Sequence, residues 1–277
     1  MTTEELKKIY SPEESELHNA QMNLLDLLCK FDLLCKKNNI NYFLGEGSLL
    51  GAIRHQGFIP WDDDIDLVMF PDDYKKLLKY IDSNNIYPLL LHTLKNDYNY
   101  PFVYSKFRDE HIPSGSSNPQ RAKKYKYNGI GIDIFPLELT NTLVSRICGA
   151  IYSILVTHLT YKIKYDSVRF VYTRCMQYLL LKILFPLFNL PVKLLGNKDE
   201  YHFALGTPWW RVKLYKSKFF PPKMSKFEDK EFLIPNDSDS YLRSAYGNYM
   251  KLPSQDEILS TIHNSKYREE IITRLNI

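Results

Sequence analysis

Residues 47–67 read GSLLGAIRHQGFIPWDDDIDL, a small-residue turn followed by four carboxylates within five positions, Asp62, Asp63, Asp64 and Asp66. Side chains on a strand alternate between faces. An extended Asp64-Ile65-Asp66-Leu67 places Asp64 and Asp66 on one face and anchors Ile65 and Leu67 on the other. Their Cα atoms then lie about 6.5–7 Å apart, close enough for both carboxylates to share one divalent cation or a pair of them. Like charges so near each other are costly without a counter-ion. Mg²⁺ is therefore expected on Asp64 and Asp66, with Mn²⁺ as the alternative ion. The turn at Gly47 and Ser48, with the helix that follows it, offers backbone N–H groups and a hydroxyl to phosphate oxygens. Metal and turn together point to phosphate chemistry.

A third carboxylate is expected from another strand. Ile130-Gly131-Ile132-Asp133-Ile134-Phe135 surrounds one acid with apolar residues, where an unpaired Asp would be expensive, so Asp133 is assigned to the same metal. Lys106 is a candidate for charge neutralisation. Arg54 either grips a phosphate or is solvated; Trp61 either stacks on a base or packs a pocket wall. Asp63 supports the site and is a candidate proton acceptor, as are the metal-bound carboxylates. His55 has no Cys/His cluster around it and reads as structural. A calcium loop would need oxygen ligands at alternate positions ending in a distal Glu, but the chain turns apolar after Asp66. Gly45 and Gly47 resemble the start of a dinucleotide fingerprint, yet Leu50 stands where the third glycine belongs.

Around this stretch the pattern alternates helices and strands. Ser11-Pro12-Glu13-Glu14 reads as a helix start, with an apolar stripe from Leu17 to Leu34 ending at Asn38-Asn39. Tyr42–Leu44 reads as a strand, Ser48 as the cap of a helix through Arg54, and Asp63–Phe70 as the acidic strand. Pro71 starts a helix, strands are expected at 88–94 and 102–107, and a last helix runs from about Ser254 into Arg268. Between Leu143 and Gly196 the composition becomes apolar, in segments 147–161 and 170–195, the second broken at Pro186 and Pro191. Neither offers some 18–20 uncharged residues, so a packed helical insertion is favoured over a transmembrane span, with an interfacial segment as the alternative.

The chain has 277 residues, 44% hydrophobic and 25% charged, ordinary values for a globular protein with a sizeable core. Its net charge of +4 hides an asymmetry. Residues 1–80 carry nine Lys/Arg against fourteen Asp/Glu, so the remainder holds +9. Basic runs at 121–126 and 211–226 suit an anionic polymer, a diphosphate lipid or a membrane surface, or simply face solvent. The four cysteines lack Cys-x-x-Cys spacing, which supports neither zinc nor a disulfide framework. The polar N-terminus does not read as a secretion signal. A cytoplasmic protein is expected, or one peripheral on the cytoplasmic face of the membrane.

Together with GIGIDIFPLE at 129–138 and YLRSAYGNYMKLP at 241–253, the opening stretch closely resembles the LicD family of phosphorylcholine transferases, relatives of fukutin and the fukutin-related protein. The resemblance implies an α+β fold, a nucleotidyltransferase-like core with a mixed sheet flanked by helices, plus a helical insertion. A catalytic core is expected at 1–140, a helical insertion, read from the composition shift, at 141–205 with membrane or acceptor as the options for what it faces, and a C-terminal part at 206–277 completing the core and acceptor site. By the same resemblance, Gly47 and Ser48 face nucleotide phosphates, and Asp64, Asp66 and Asp133 hold Mg²⁺. The implied donor is CDP-choline or a related CDP-alcohol, and the acceptor a sugar hydroxyl on a glycolipid or glycopolymer precursor. No nucleic-acid partner is expected. The chain departs from the family pattern at Asn248, where many members have Asp. Transfer of glycerol phosphate, ribitol phosphate or a nucleotidyl group is the nearest alternative, and a silent glycan- or membrane-binding scaffold the non-enzymatic one.

Overall fold

A computed structural model describes residues 1–97, 99–100, 102–114, 125–207 and 212–276. Most of the basic run at 121–126, and Arg211 of the second run, lie outside them. Helix α1 (Thr3–Tyr10) opens with a capping box, in which the Thr2 hydroxyl accepts from the Glu5 N–H and the Glu5 carboxylate accepts from the Thr2 N–H. The sequence reading missed this helix. Ser11 closes α1 by donating its N–H to the Lys7 carbonyl, and a turn through Pro12 passes the capping role to Ser15. Helix α2 (Glu16–Lys37) therefore starts four residues later than a cap at Ser11 suggested.

Helix α2 buries Leu24, Leu27, Leu28 and Phe31 against the sheet, where the Phe31 ring lies 5.0 Å from Phe107. Each such side chain contributes roughly 1.5–3 kcal/mol by leaving water. The strands are β1 (Phe43–Leu44), β2 (Asp66–Met69), β3 (Leu89–His92), β4 (Ser105–Pro113), β5 (Gly129–Leu139), β6 (Glu200–Phe203) and β7 (Lys213–Tyr215). They form one mixed sheet in the order β1-β2-β5-β4-β3, with β6 pairing the end of β5 and β7 pairing β6. Only β2 and β5 run parallel; the other described pairs are antiparallel. Helix α3 (Glu46–His55) links β1 to β2, and α4 (Pro71–Ser83) follows β2. The architecture is α+β, with helices flanking a mixed sheet.

A hairpin of β8 (Lys223–Phe227) and β9 (Lys230–Ile234) docks on the loop after α3. Its Glu228 carboxylate accepts from the Phe58 N–H at 3.0 Å and pairs with Lys7 at 2.7 Å. The C-terminal part ends in helices Ser238–Tyr246, Gln255–Thr261 and Ser265–Leu275. The last two replace the single expected helix, because Asn264 starts a new one by accepting from the Lys266 N–H.

From β5 the chain enters a helical pair. Thr142–Tyr152 continues through a π-turn at Ser153–His158 and a last turn at Leu159–Lys162. The return helix starts at Asp166 and passes through a second π-turn at Leu179–Leu184 into Phe185–Leu195. Pro186 sits in the first turn after the π-turn and Pro191 lies inside the helix, so neither breaks it as the sequence suggested. The resulting helix Ser167–Leu195 is long and apolar enough, by length and composition, to cross a membrane. The pair has its own small core of Cys148, Tyr152, Val156, Leu180, Phe185 and Leu205, apart from the main one.

Candidate active site

Parallel pairing of β2 and β5 sets Asp66 directly beside Asp133. On the next strand Lys106 faces Asp133, and on the one after it His92 faces Lys106. Neighbouring strands lie about 4.8 Å apart, so one row across four strands carries two carboxylates, an ammonium and an imidazole. Lys106 Nζ donates to Asp133 Oδ1 in a tight ion pair. Lys106 is thus paired with Asp133.

The acidic strand is shorter than expected. The Asp62 N–H bonds to the Ile59 carbonyl at 2.9 Å, and this turn keeps the chain off the ladder until Asp66. Asp64 therefore precedes the strand rather than alternating along it. The four acids still share one field. Asp62 and Asp66 are held well above the usual carboxylate range, first by burial and then by neighbouring acids. Asp64 is pushed up to about 7 by desolvation, then by Asp63 and Asp133. Asp63 is raised by desolvation, against the opposing pull of His263, Lys106 and an Asn264 hydrogen bond. Sequence reasoning ranked Asp62 below Asp64, yet its carboxylate stands with Asp66 at the head of α3.

Helix α3 supplies the opposite polarity. Its N-cap is Gly45, not Ser48, and the Ser48 hydroxyl instead accepts the Asp66 N–H at 2.8 Å. This bond ties the first turn of α3 to the start of β2. A Cβ at Gly47 would meet Asp62 Oδ2 at 3.0 Å and Asp66 Oδ2 at 3.8 Å. The missing side chain is what lets the positive helix end approach the carboxylates, and that end suits phosphate equally well.

Glu46, between those two features, was missed in the sequence. It is fully buried, adopts φ +38°, and accepts from the Tyr241 hydroxyl at 2.7 Å. A non-glycine residue in the left-handed region is strained, and here the Tyr241 bond 195 positions away helps to hold it. Burial pushes the Glu46 carboxyl up to about 7. Tyr241 and Tyr246 come from the third sequence motif, which gave that motif a place but not this contact.

Arg54, His55 and Trp61 brace one another. Arg54 donates to His55 Nε2 at 2.9 Å and to the Tyr249 carbonyl at 2.8 Å. His55 accepts at Nε2, so Nδ1 carries the proton toward Thr3, and burial with Arg54 lowers its value to about 4. Trp61 is buried, edge-on to Tyr10 and His55. The packing readings of His55 and Trp61 describe these contacts, and Arg54 is engaged with protein rather than solvent. Asn248 is exposed.

A second buried polar group backs the row. Arg108 donates to His92 Nδ1 at 3.0 Å, and His92 Nε2 donates to Asp97 at 2.8 Å. Burial and Arg108 lower His92 to about 4. Arg108 also reaches the Gly129 carbonyl across Gly131, whose absent side chain leaves room for it.

All the acids of the first cluster are hard oxygen donors, the chemistry Mg²⁺ or Mn²⁺ prefers, and their mutual repulsion is what a divalent cation would relieve. Among the described residues no three His, Cys, Asp or Glu side chains stand close enough to hold a metal ion, and Asp133 faces Lys106. The donor set fits the ion, while the three-carboxylate shell is not gathered.

Residues 39–152 match the family model described as "LicD/FKTN/FKRP, nucleotidyltransferase domain", a span holding Gly47, the acidic stretch and Asp133. The chain is 25% identical over 258 residues to the lipopolysaccharide cholinephosphotransferase LicD of Haemophilus influenzae, covering 87% of this chain and 94% of that protein. An uncharacterised Rickettsia typhi protein is 30% identical over 130 residues, 40% of this chain and 41% of its own length. Another from Rickettsia prowazekii is 46% identical over 52 residues, 19% of this chain and 20% of that protein. Residues 39–152 are therefore similar to the nucleotidyltransferase domain of the LicD/FKTN/FKRP family.

Proposed function

We propose that this protein is a Mg²⁺-dependent phosphotransferase that moves phosphocholine from CDP-choline to a sugar hydroxyl of a cell-surface glycolipid or glycopolymer precursor and releases CMP. The observation that carries the reading is the row Asp66–Asp133–Lys106, set beside the glycine-lined head of α3. The name of the Haemophilus relative supports choline phosphate as the cargo and a lipopolysaccharide-type acceptor.

In this reading the N–H groups of Gly47 and Ser48 orient the donor phosphates, and the helix end favours their charge. The acceptor oxygen forms a bond to the choline-bearing phosphorus as the bond from that phosphorus to the CMP oxygen breaks. The acceptor proton passes to a carboxylate, either Asp63 or one of those that would hold the metal. Asp64 and Asp66 would hold the metal, with Asp133 after it leaves Lys106, and the ion would offset charge on the phosphate and the departing group. Lys106, paired with Asp133, holds that side chain in place in the meantime.

The test is product analysis. Purified protein, Mg²⁺ and a membrane extract containing glycolipid precursors are incubated in turn with CDP-choline, CDP-glycerol and CDP-ribitol, with CMP release and product mass recorded. CDP-choline is expected to give CMP and a phosphocholine adduct. A glycerol or ribitol phosphate adduct instead would replace the cargo, and no CMP from any donor would overturn the reading.

A further inference from the structure

Thirteen of the eighteen exposed large hydrophobic residues among the described ones lie between Leu143 and Leu195, about a fifth of the chain. They are not scattered. On the return helix, Val168, Val171, Tyr178, Leu187, Leu190 and Leu194 recur at steps of three, four and seven (a step of nine spans the second π-turn), a stripe along the outer face. The opposite stripe, with Gln177, Leu180, Phe185, Asn189 and Val192, faces inward. The outgoing helix repeats the pattern with exposed Leu143, Ile147 and Ile154. Only 22% of the most apolar window of Ser167–Leu195 is buried. Contiguous apolar surface of this extent marks a binding face.

Charge identifies the occupant. From Thr142 to Lys198 the sequence holds eight Lys/Arg and one acid, Asp166. Lys182 and Lys193 are exposed within the apolar stretch itself. A second copy would bring the same positive face against itself. A bilayer spanned by this helix would have to take those ammonium groups into hydrocarbon, whereas a helix lying in the interface lets them reach lipid phosphates. Exposed Tyr165 and Tyr178 suit the headgroup level.

We infer that the helical pair Thr142–Leu195 is a foot that lies on an anionic lipid surface without spanning it. It is fastened to the rest of the chain by hydrogen bonds, that of Thr142 to Glu200 of β6 among them. Asn189 donates to the carbonyl of Leu139 at the end of β5, and Arg174 donates to the Tyr100 carbonyl beside the His92 cluster. The foot deepens the proposed function by bringing the site to a lipid-borne acceptor, but its binding to lipid requires neither donor nor acceptor.

The full chain is therefore tested for co-sedimentation with vesicles of phosphatidylcholine alone and of phosphatidylcholine mixed with phosphatidylglycerol, without nucleotide or acceptor. Binding is expected to the anionic vesicles and to be at least about tenfold weaker to neutral ones. Leu187→Glu/Leu194→Glu and, separately, Lys182→Glu/Lys193→Glu should each weaken binding roughly tenfold or more while circular dichroism and Tm stay as in the wild type. Wild type left in the supernatant, equal binding to neutral vesicles, or double variants that bind like wild type would each overturn the inference. So would a dimer in sedimentation velocity that Leu187→Glu/Leu194→Glu converts to a monomer without any vesicle binding. Because CDP-choline is absent, failure here leaves the transferase assay untouched, and failure there leaves this result standing.

Discussion

The central sheet and the helical pair at Thr142–Leu195 depart from ordinary folding economy in opposite directions. The sheet buries charge: Glu46, Asp66, Asp133, Arg108 and Asp97 are all withdrawn from water. The helical pair leaves its large apolar side chains in water. Each departure costs stability in an isolated chain. Buried charge is tolerable where a partner ion or substrate completes it, and exposed apolar surface where another phase covers it. The two regions read as the two ends of one task, chemistry inside and attachment outside.

That contrast is open to breakage, beginning with the carboxylates. Asp66→Asn should lower turnover by roughly a thousandfold, the scale of losing one electrostatic group at a transfer site. Its Tm should equal or exceed that of the wild type, because the amide removes repulsion from Asp64 and Asp133. CMP release and calorimetry on the same preparation separate the two effects, and a variant that loses both activity and stability would make Asp66 structural. Behind the row, Arg108→Met leaves His92 and Asp97 without their buried cation. A loss of about 3 kcal/mol in urea unfolding is expected.

The histidine of that cluster sets an acid limit. A folded value near 4 lies below the unfolded value of 6.5, so the folded state binds fewer protons between them. Its contribution is complete above about pH 6.5 and is lost as pH falls through 4, amounting to about 3 kcal/mol. Unfolding free energies of wild type and His92→Asn between pH 4 and 7 should converge toward the acid end. Smaller still is Gly47→Ala, whose methyl crowds Asp62: about a tenfold drop in kcat with little change in Tm is expected. At the other end of the comparison, Leu190→Ser should move stability by under about 0.5 kcal/mol, since its side chain is 51% exposed. A large loss there would mean that the outer face packs against protein after all.

What the sequence made legible follows from distance along the chain. Asp64, Asp66 and Asp133 stood out because their apolar neighbours flagged strands, and Lys106 because it falls on another strand. Their shared row depends on β2 and β5 pairing in parallel, which no local pattern announces. Glu46 was hidden for the same reason, since its burial hangs on Tyr241. Helix α1 was readable: Thr2 and Glu5 spell a capping box, but the segment is short and polar enough to pass as a tail. The prolines at 186 and 191 misled: a π-turn just upstream accommodates Pro186, and Pro191 lies inside a helix that continues past it.

Strand β5 has a metric consequence. It carries Asp133 and ends at Leu139, where Asn189 of the foot is bonded. Six residues of strand at about 3.3 Å each make a rod of roughly 20 Å between Asp133 and that joint. A stiff sheet strand neither stretches nor coils as a linker does. With the foot on a bilayer, this rod becomes a ruler that caps how far above the lipid a modified hydroxyl can stand. Selection among the sugars of a long headgroup would then be made by height, before any side chain inspects the sugar itself.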